Sequence, residues 1–104
     1  MSGYAYELVL EFDGDDVDDW DYFVALEEHL SATLPDIQVQ GHDYGRGVTD
    51  IYIDCDEPRR ALAAAMYVID RAEAPFISAG FRQLHREEFV RLWPVDNRMP
   101  FVPL

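Results

Sequence analysis

Residues 4–35 read YAYELVLEFDGDDVDDWDYFVALEEHLSATLP, and the hydrophobic period changes once within them. Over the first nine, Tyr4, Tyr6, Leu8, Leu10 and Phe12 fall on one face and Glu7, Val9 and Glu11 on the other, the alternation of a half-buried strand. From Trp20 onward the spacing lengthens, because Trp20, Phe23, Leu26, Leu30 and Leu34 recur three to four residues apart. That is the stripe of an amphipathic helix, and Pro35 ends it.

The same reading continues outward. Residues 36–56, DIQVQGHDYGRGVTDIYIDCD, predict two strands joined by a tight turn at Gly45 and Gly47, residues that accept positive φ without steric cost. Residues 56–72, DEPRRALAAAMYVIDRA, place acids and Pro58 where helices start, and stack Leu62, Ala65, Met66 and Ile69 on one face. PFISAGFRQL, residues 75–84, predicts a further strand with Ile77, Ala79 and Phe81 inward. The order strand, helix, strand, strand, helix, strand is the α+β, ferredoxin-like βαββαβ pattern. It predicts an antiparallel sheet with the first and third strands central, two helices on one face, and the other face open to water or a partner. The expected core is Leu8, Leu10, Phe12, Phe23, Leu26, Leu30, Ile51, Ile53, Leu62, Met66, Ile69 and Phe81.

At 104 residues the chain fits one domain, 1–104, burying roughly 65% of its unfolded surface. Residues 85–104, HREEFVRLWPVDNRMPFVPL, form a Pro-rich C-terminal extension. It is expected to hold a short helix at 86–92 or a strand paired with its predecessor, and to need cover for Trp93, Phe101 and Val102. Docking of this extension on its own domain is favoured over docking on a second copy. With 49% apolar and 13% aromatic residues the composition is that of a folded chain, despite the charge. No run of about 18 apolar residues is present to span a bilayer, and MSGYAYELVLEF has no basic segment leading into an apolar signal core. A cytoplasmic location is expected. One cysteine, Cys55, cannot form an internal disulfide and reads as a buried packing residue.

Charge is the most unusual property, at −13 overall. Residues 1–57 carry sixteen Asp or Glu against one Arg, whereas residues 58–104 carry five acids and seven Arg. Such a field repels phosphate backbones and acidic membranes, so no nucleic acid and no membrane partner is expected; a basic protein is favoured. All eight basic residues are Arg, consistent with a GC-rich coding sequence or with salt adaptation.

Within EFDGDDVDDWDYF, residues 11–23, seven positions are acidic. Asp18 or Asp19 suits a helix N-cap, and first-turn carboxylates favour the positive end of the helix dipole by about 0.3 to 1 kcal/mol each. Two or three of the seven acids are thereby explained; the rest of the cluster that runs through Asp13, Asp15, Asp16, Asp18 and Asp19 to Trp20 has no structural task. A calcium loop fails in every register; counted from Asp13, the fifth position is Val17 and the required glycine is Asp18. A second acidic group is predicted by the strand order, with Glu7, Glu11, Asp50 and Asp54 on the open face around Tyr52 and Arg82. Tyr52 alone is no stacking platform for RNA, and the anion loop of an acylphosphatase is replaced by acids. Asp13 with Asp43 or Asp50 imitates the carboxylates of a polymerase or cyclase palm, but no phosphate cradle accompanies them. His29, His42 and His85 are scattered; His42 beside Asp43 is the single candidate acid–base pair. No catalytic set, metal site or cofactor is predicted.

Three functions of different classes follow. The first is a non-enzymatic binding or inhibitor protein docking through Asp13, Asp15, Asp16, Asp18, Asp19, Trp20, Glu7, Glu11, Asp50, Tyr52 and Asp54 on a basic partner. In this it resembles, by class and not by motif, the small acidic immunity proteins that bacteria pair with toxic nucleases, which would make the partner a toxin. The second is a self-associating ferredoxin-like domain, a homodimer with a small-ligand cleft. The third, least favoured, is a carboxylate- or metal-dependent enzyme.

Overall fold

The computed structural model describes residues 3–14, 20–97 and 99–104. Among the described residues five strands and two helices follow in the order β1 (Tyr6–Asp13), α1 (Trp20–Thr33), β2 (Ile37–Gly45), β3 (Val48–Cys55), α2 (Pro58–Arg71), β4 (Phe76–Gln83) and β5 (Val90–Trp93). The architecture is α+β, and the strands form one sheet in the order β2-β3-β1-β4-β5, antiparallel at every pairing. The extension therefore contributes a fifth strand on the edge beyond β4, in place of a helix. No described helix is long and apolar enough to cross a membrane.

Local chemistry accounts for the β2–β3 hairpin and for both ends of α2. In the β2–β3 hairpin Gly45 pairs with Val48, leaving Arg46 and Gly47 as a two-residue loop with φ of 55° and 82°. Two positive φ angles give the turn the twist that flanking strands require, and Gly47 takes the second at no steric cost. Pro58 occupies the first turn of α2, where its missing N–H loses no helical bond. That helix stops in a left-handed residue, Glu73 at φ 53°, with Glu73 N–H on the Asp70 carbonyl and Ala74 N–H on that of Ile69. This double closure satisfies carbonyls that a helix end otherwise leaves bare.

Leu8, Leu10, Phe12, Ile51 and Ile53 are fully buried and form one cluster with Phe23, Leu26, Leu30 and Leu34 from the first helix and its exit, and Ala61, Ala65, Val68 and Ile69 from the second. Leu62, Met66 and Phe81 pack against it partly buried. Both helices thus cover the face defined by the even-numbered residues of β1. β4 departs from the expected alternation. Its register slips between Glu11 and Phe12, so that Phe12 is opposite Phe76. Phe76 then packs edge-on against Phe12, with ring centroids 5.8 Å apart, and Ile77 is exposed instead of inward. A bulge of this kind shifts which side chains reach the core on one side of it.

Candidate functional site

The face away from the helices carries three rungs. Cross-strand pairing sets Asp54 beside Glu7 and Glu7 beside Arg82, Tyr52 beside Val9 and Val9 beside Gly80, and Asp50 beside Glu11 and Glu11 beside Ser78. Asp43 of β2 extends the last rung, opposite Asp50. Glu7, Glu11, Asp50, Tyr52 and Asp54 therefore share one face with Arg82, as alternation in β1 and β3 predicts.

That face is not open. Residues 99–104 cross it as an extended strap. Phe101, 5% exposed, lies directly over Gly80, where a β-carbon would overlap its ring. Arg91 on β5 holds the start of the strap: its Nε donates to the Met99 carbonyl at 3.1 Å and its Nη2 to that of Pro100 at 3.2 Å. The same guanidinium lies over the Phe101 ring, 5.4 Å from its centroid. At the far end Leu104 N–H donates to Asp50 Oδ2 at 2.8 Å, and the Tyr52 hydroxyl donates to the main-chain oxygen of Leu104 at 3.1 Å. Val9 between them is fully buried. The extension thus docks on its own domain, but it covers Phe101 alone of the three residues expected to need cover; Trp93 is 45% and Val102 71% exposed.

The carboxylates of this face differ in the donors they meet. Glu7 receives Arg82 Nε at 2.9 Å, and Asp54 receives Gln40 Nε2 at 3.0 Å. Glu11 accepts from the Ser78 hydroxyl at 3.2 Å. Asp50 is fully buried, and among the described residues no N–H or O–H donates to its Oδ1. Burial, opposed by the Leu104 amide and reinforced by Glu11 and Asp43, pushes its carboxyl from 3.8 up to about 7. Burial and the surrounding carboxylates, Asp50 first, push the Tyr52 hydroxyl up to about 12, so it remains a donor. Cys55 is buried, and its thiol is pushed up to about 11 by burial and by Asp54 and Asp56, which leaves it a poor nucleophile.

The other sequence-derived candidates disperse. Asp13 is exposed at the end of β1. Asp15, Asp16, Asp18 and Asp19, with the proposed N-cap, lie outside the described residues, as does the Trp20 side chain, whose backbone opens α1. His42 and Asp43 do not pair, because adjacent strand residues point to opposite faces. His42 turns to the helix side, where its Nδ1 meets Glu27 Oε1 of α1. Among the described residues no group of three or more His, Cys, Asp or Glu is arranged to hold a metal ion. Sequence reading gave Ser78, Gly80, Arg91 and Leu104 no part in this face, and marked Phe101 only as needing cover. Gly80 had a usable signal, since glycine in a strand interior often marks close approach of another segment.

Comparison with known proteins finds no matching family model, curated protein or solved structure.

Proposed function

We propose that this is a non-enzymatic binding protein whose acidic half engages a basic protein partner in the cytoplasm, in the manner of an immunity protein docking on a toxin. The observation that carries the reading is uncompensated charge: sixteen acids against one Arg in residues 1–57. Of the described acids in that half, Glu7 and Glu57 pair with Arg82 and Arg60, and Glu27 with His42. Asp13, Asp21, Glu28, Asp36, Asp43 and Asp56 are exposed. Because the strap covers Asp50, first contact falls to Asp13 and the adjoining Asp15, Asp16, Asp18 and Asp19, with Trp20 as the aromatic anchor. Complementary charge accelerates encounter, and buried aromatics supply most of the affinity.

The fold reading that goes with this proposal is a ferredoxin-like unit, β2-β3-β1-β4 with two helices, to which β5 and the strap are appended. The strand order and the antiparallel pairings support it. Self-association is the second reading, supported by exposed Val90, Trp93, Val95 and Met99 around the β5 edge.

Affinity capture from lysate, followed by association kinetics with the purified captured protein, tests the first reading. A basic partner is expected, with an association rate that falls about tenfold or more between about 0.05 and 0.5 M salt. Replacing Asp15, Asp16 and Asp19 together by Asn should slow association with little effect on dissociation. An unchanged association rate for a confirmed partner defeats the electrostatic reading; capture of only acidic or small-molecule ligands defeats the whole of it. Sedimentation of a dimer that dissociates on Trp93→Ser would favour the second.

A further inference from the structure

Asp50 occupies a position that a permanently ionised carboxylate fills badly. It is fully buried between Glu11 on β1 and Asp43 on β2, with Tyr52 beside it on its own strand and the strap above. One oxygen, Oδ2, accepts the Leu104 N–H. The other, Oδ1, meets no N–H or O–H donor among the described residues. The neighbour positioned to satisfy it is the Glu11 carboxylate, and two carboxylates can bond only through a proton. With that proton on Oδ1, Asp50 donates to Glu11 and still accepts from Leu104, so every polar atom it buries is used.

We propose that residues 99–104 are a proton-gated strap, docked across the sheet while Asp50 carries a proton shared with Glu11 and released when that proton leaves. Release exposes Asp50 and Glu11 beside Glu7 and Asp54, so the docked strap masks part of the acidic face. The proposal rests on the geometry of the strap and is independent of the identity, or existence, of a basic partner.

The direction of the pH dependence follows from the cause of the shift. Covering Asp50 takes it from water, which disfavours its charged form and raises it from 3.8 to about 7; the Leu104 amide offsets only part of this, and the charges of Glu11 and Asp43 add to the rise. The docked form therefore keeps a proton that a hydrated carboxyl gives up. Proton-linked stabilisation of docking is fully present below about pH 4, declines as pH rises, and is gone above about pH 7.

The Phe101 ring over Gly80 supplies a direct readout, because its ring current displaces the Gly80 Hα resonances only while the strap is seated. In the full chain these resonances should be displaced at about pH 5 and return most of the way toward ordinary strand values by about pH 9. Asp50→Asn imitates the protonated carboxyl, with an oxygen for Leu104 and an amide for Glu11, and should keep the displacement at both pH values. Glu11→Gln removes the charge that holds the proton, and should lower the midpoint of the transition. The amide signals of Leu8 and Ile53 report separately that the domain is folded in each variant. Gly80 resonances that do not titrate, that titrate unchanged in Asp50→Asn, or that are not displaced at about pH 5 would each overturn the proposal.

Discussion

On the helix side of the sheet, Leu8, Leu10, Phe12, Ile51 and Ile53 are fully buried under two helices of fourteen residues each. On the opposite side the rungs through Val9 and Glu11 lie under a few residues of extended chain. The difference lies in how each cover satisfies its own backbone. A helix pairs its N–H and C=O groups internally and can present a purely apolar surface. An extended strap outside the sheet cannot, so its amides and carbonyls need side-chain partners where it crosses protein. Arg91, Asp50 and Tyr52 are those partners, and they explain why this face is polar although part of it is buried. One cover depends on area, the other on a few directional bonds and one ring.

If that contrast is right, Leu10→Ala should have the largest effect, lowering unfolding free energy by about 2–5 kcal/mol in urea titrations, equally at acid and neutral pH. A loss below about 1 kcal/mol would show that the helix side is not the main source of stability. Gly80→Ala should cost less, about 1–3 kcal/mol, because the new methyl overlaps only the Phe101 ring. In a Phe101→Ala background most of this cost should disappear. Additive losses in that cycle would mean that Gly80 is needed for strand geometry and not for the strap.

Asp50→Asn should have a smaller effect with a definite sign. Since the folded carboxyl is raised to about 7, the wild-type protein loses stability as pH climbs from about 4 to about 7, and holds level above. The Asn variant should escape this loss, being more stable than wild type at about pH 8 by no more than the docked strap contributes and little different near pH 4, in melts at the two pH values. A variant less stable than wild type at about pH 8 would show that ionised Asp50 supports the fold. Smallest of all is the response of charge outside both buried faces: the melting temperature should rise by a few degrees between low salt and about 0.5 M sodium chloride, as screening relieves repulsion among the acids of the first half. A flat or falling profile would mean that the seven Arg of residues 58–104 already compensate them.

Sequence alone determined the elements whose signal is periodic. Alternation through Leu8, Leu10 and Phe12, and the three-to-four spacing of Phe23, Leu26 and Leu30, fixed both type and inward face, because each strand or helix must bury one continuous stripe. The same alternation put Glu7, Glu11, Asp50 and Asp54 together. It failed where one residue breaks the count, as at the β1–β4 bulge that turns Ile77 outward, and where sequence neighbours face opposite ways, as with His42 and Asp43. Only tertiary structure decided what lies over the carboxylate face. The strap has no period, and its seat joins positions such as Asp50 and Leu104 that are remote along the chain. Whether a carboxylate faces water or a buried amide is settled by which distant segment reaches it, and that depends on the packing of the whole sheet.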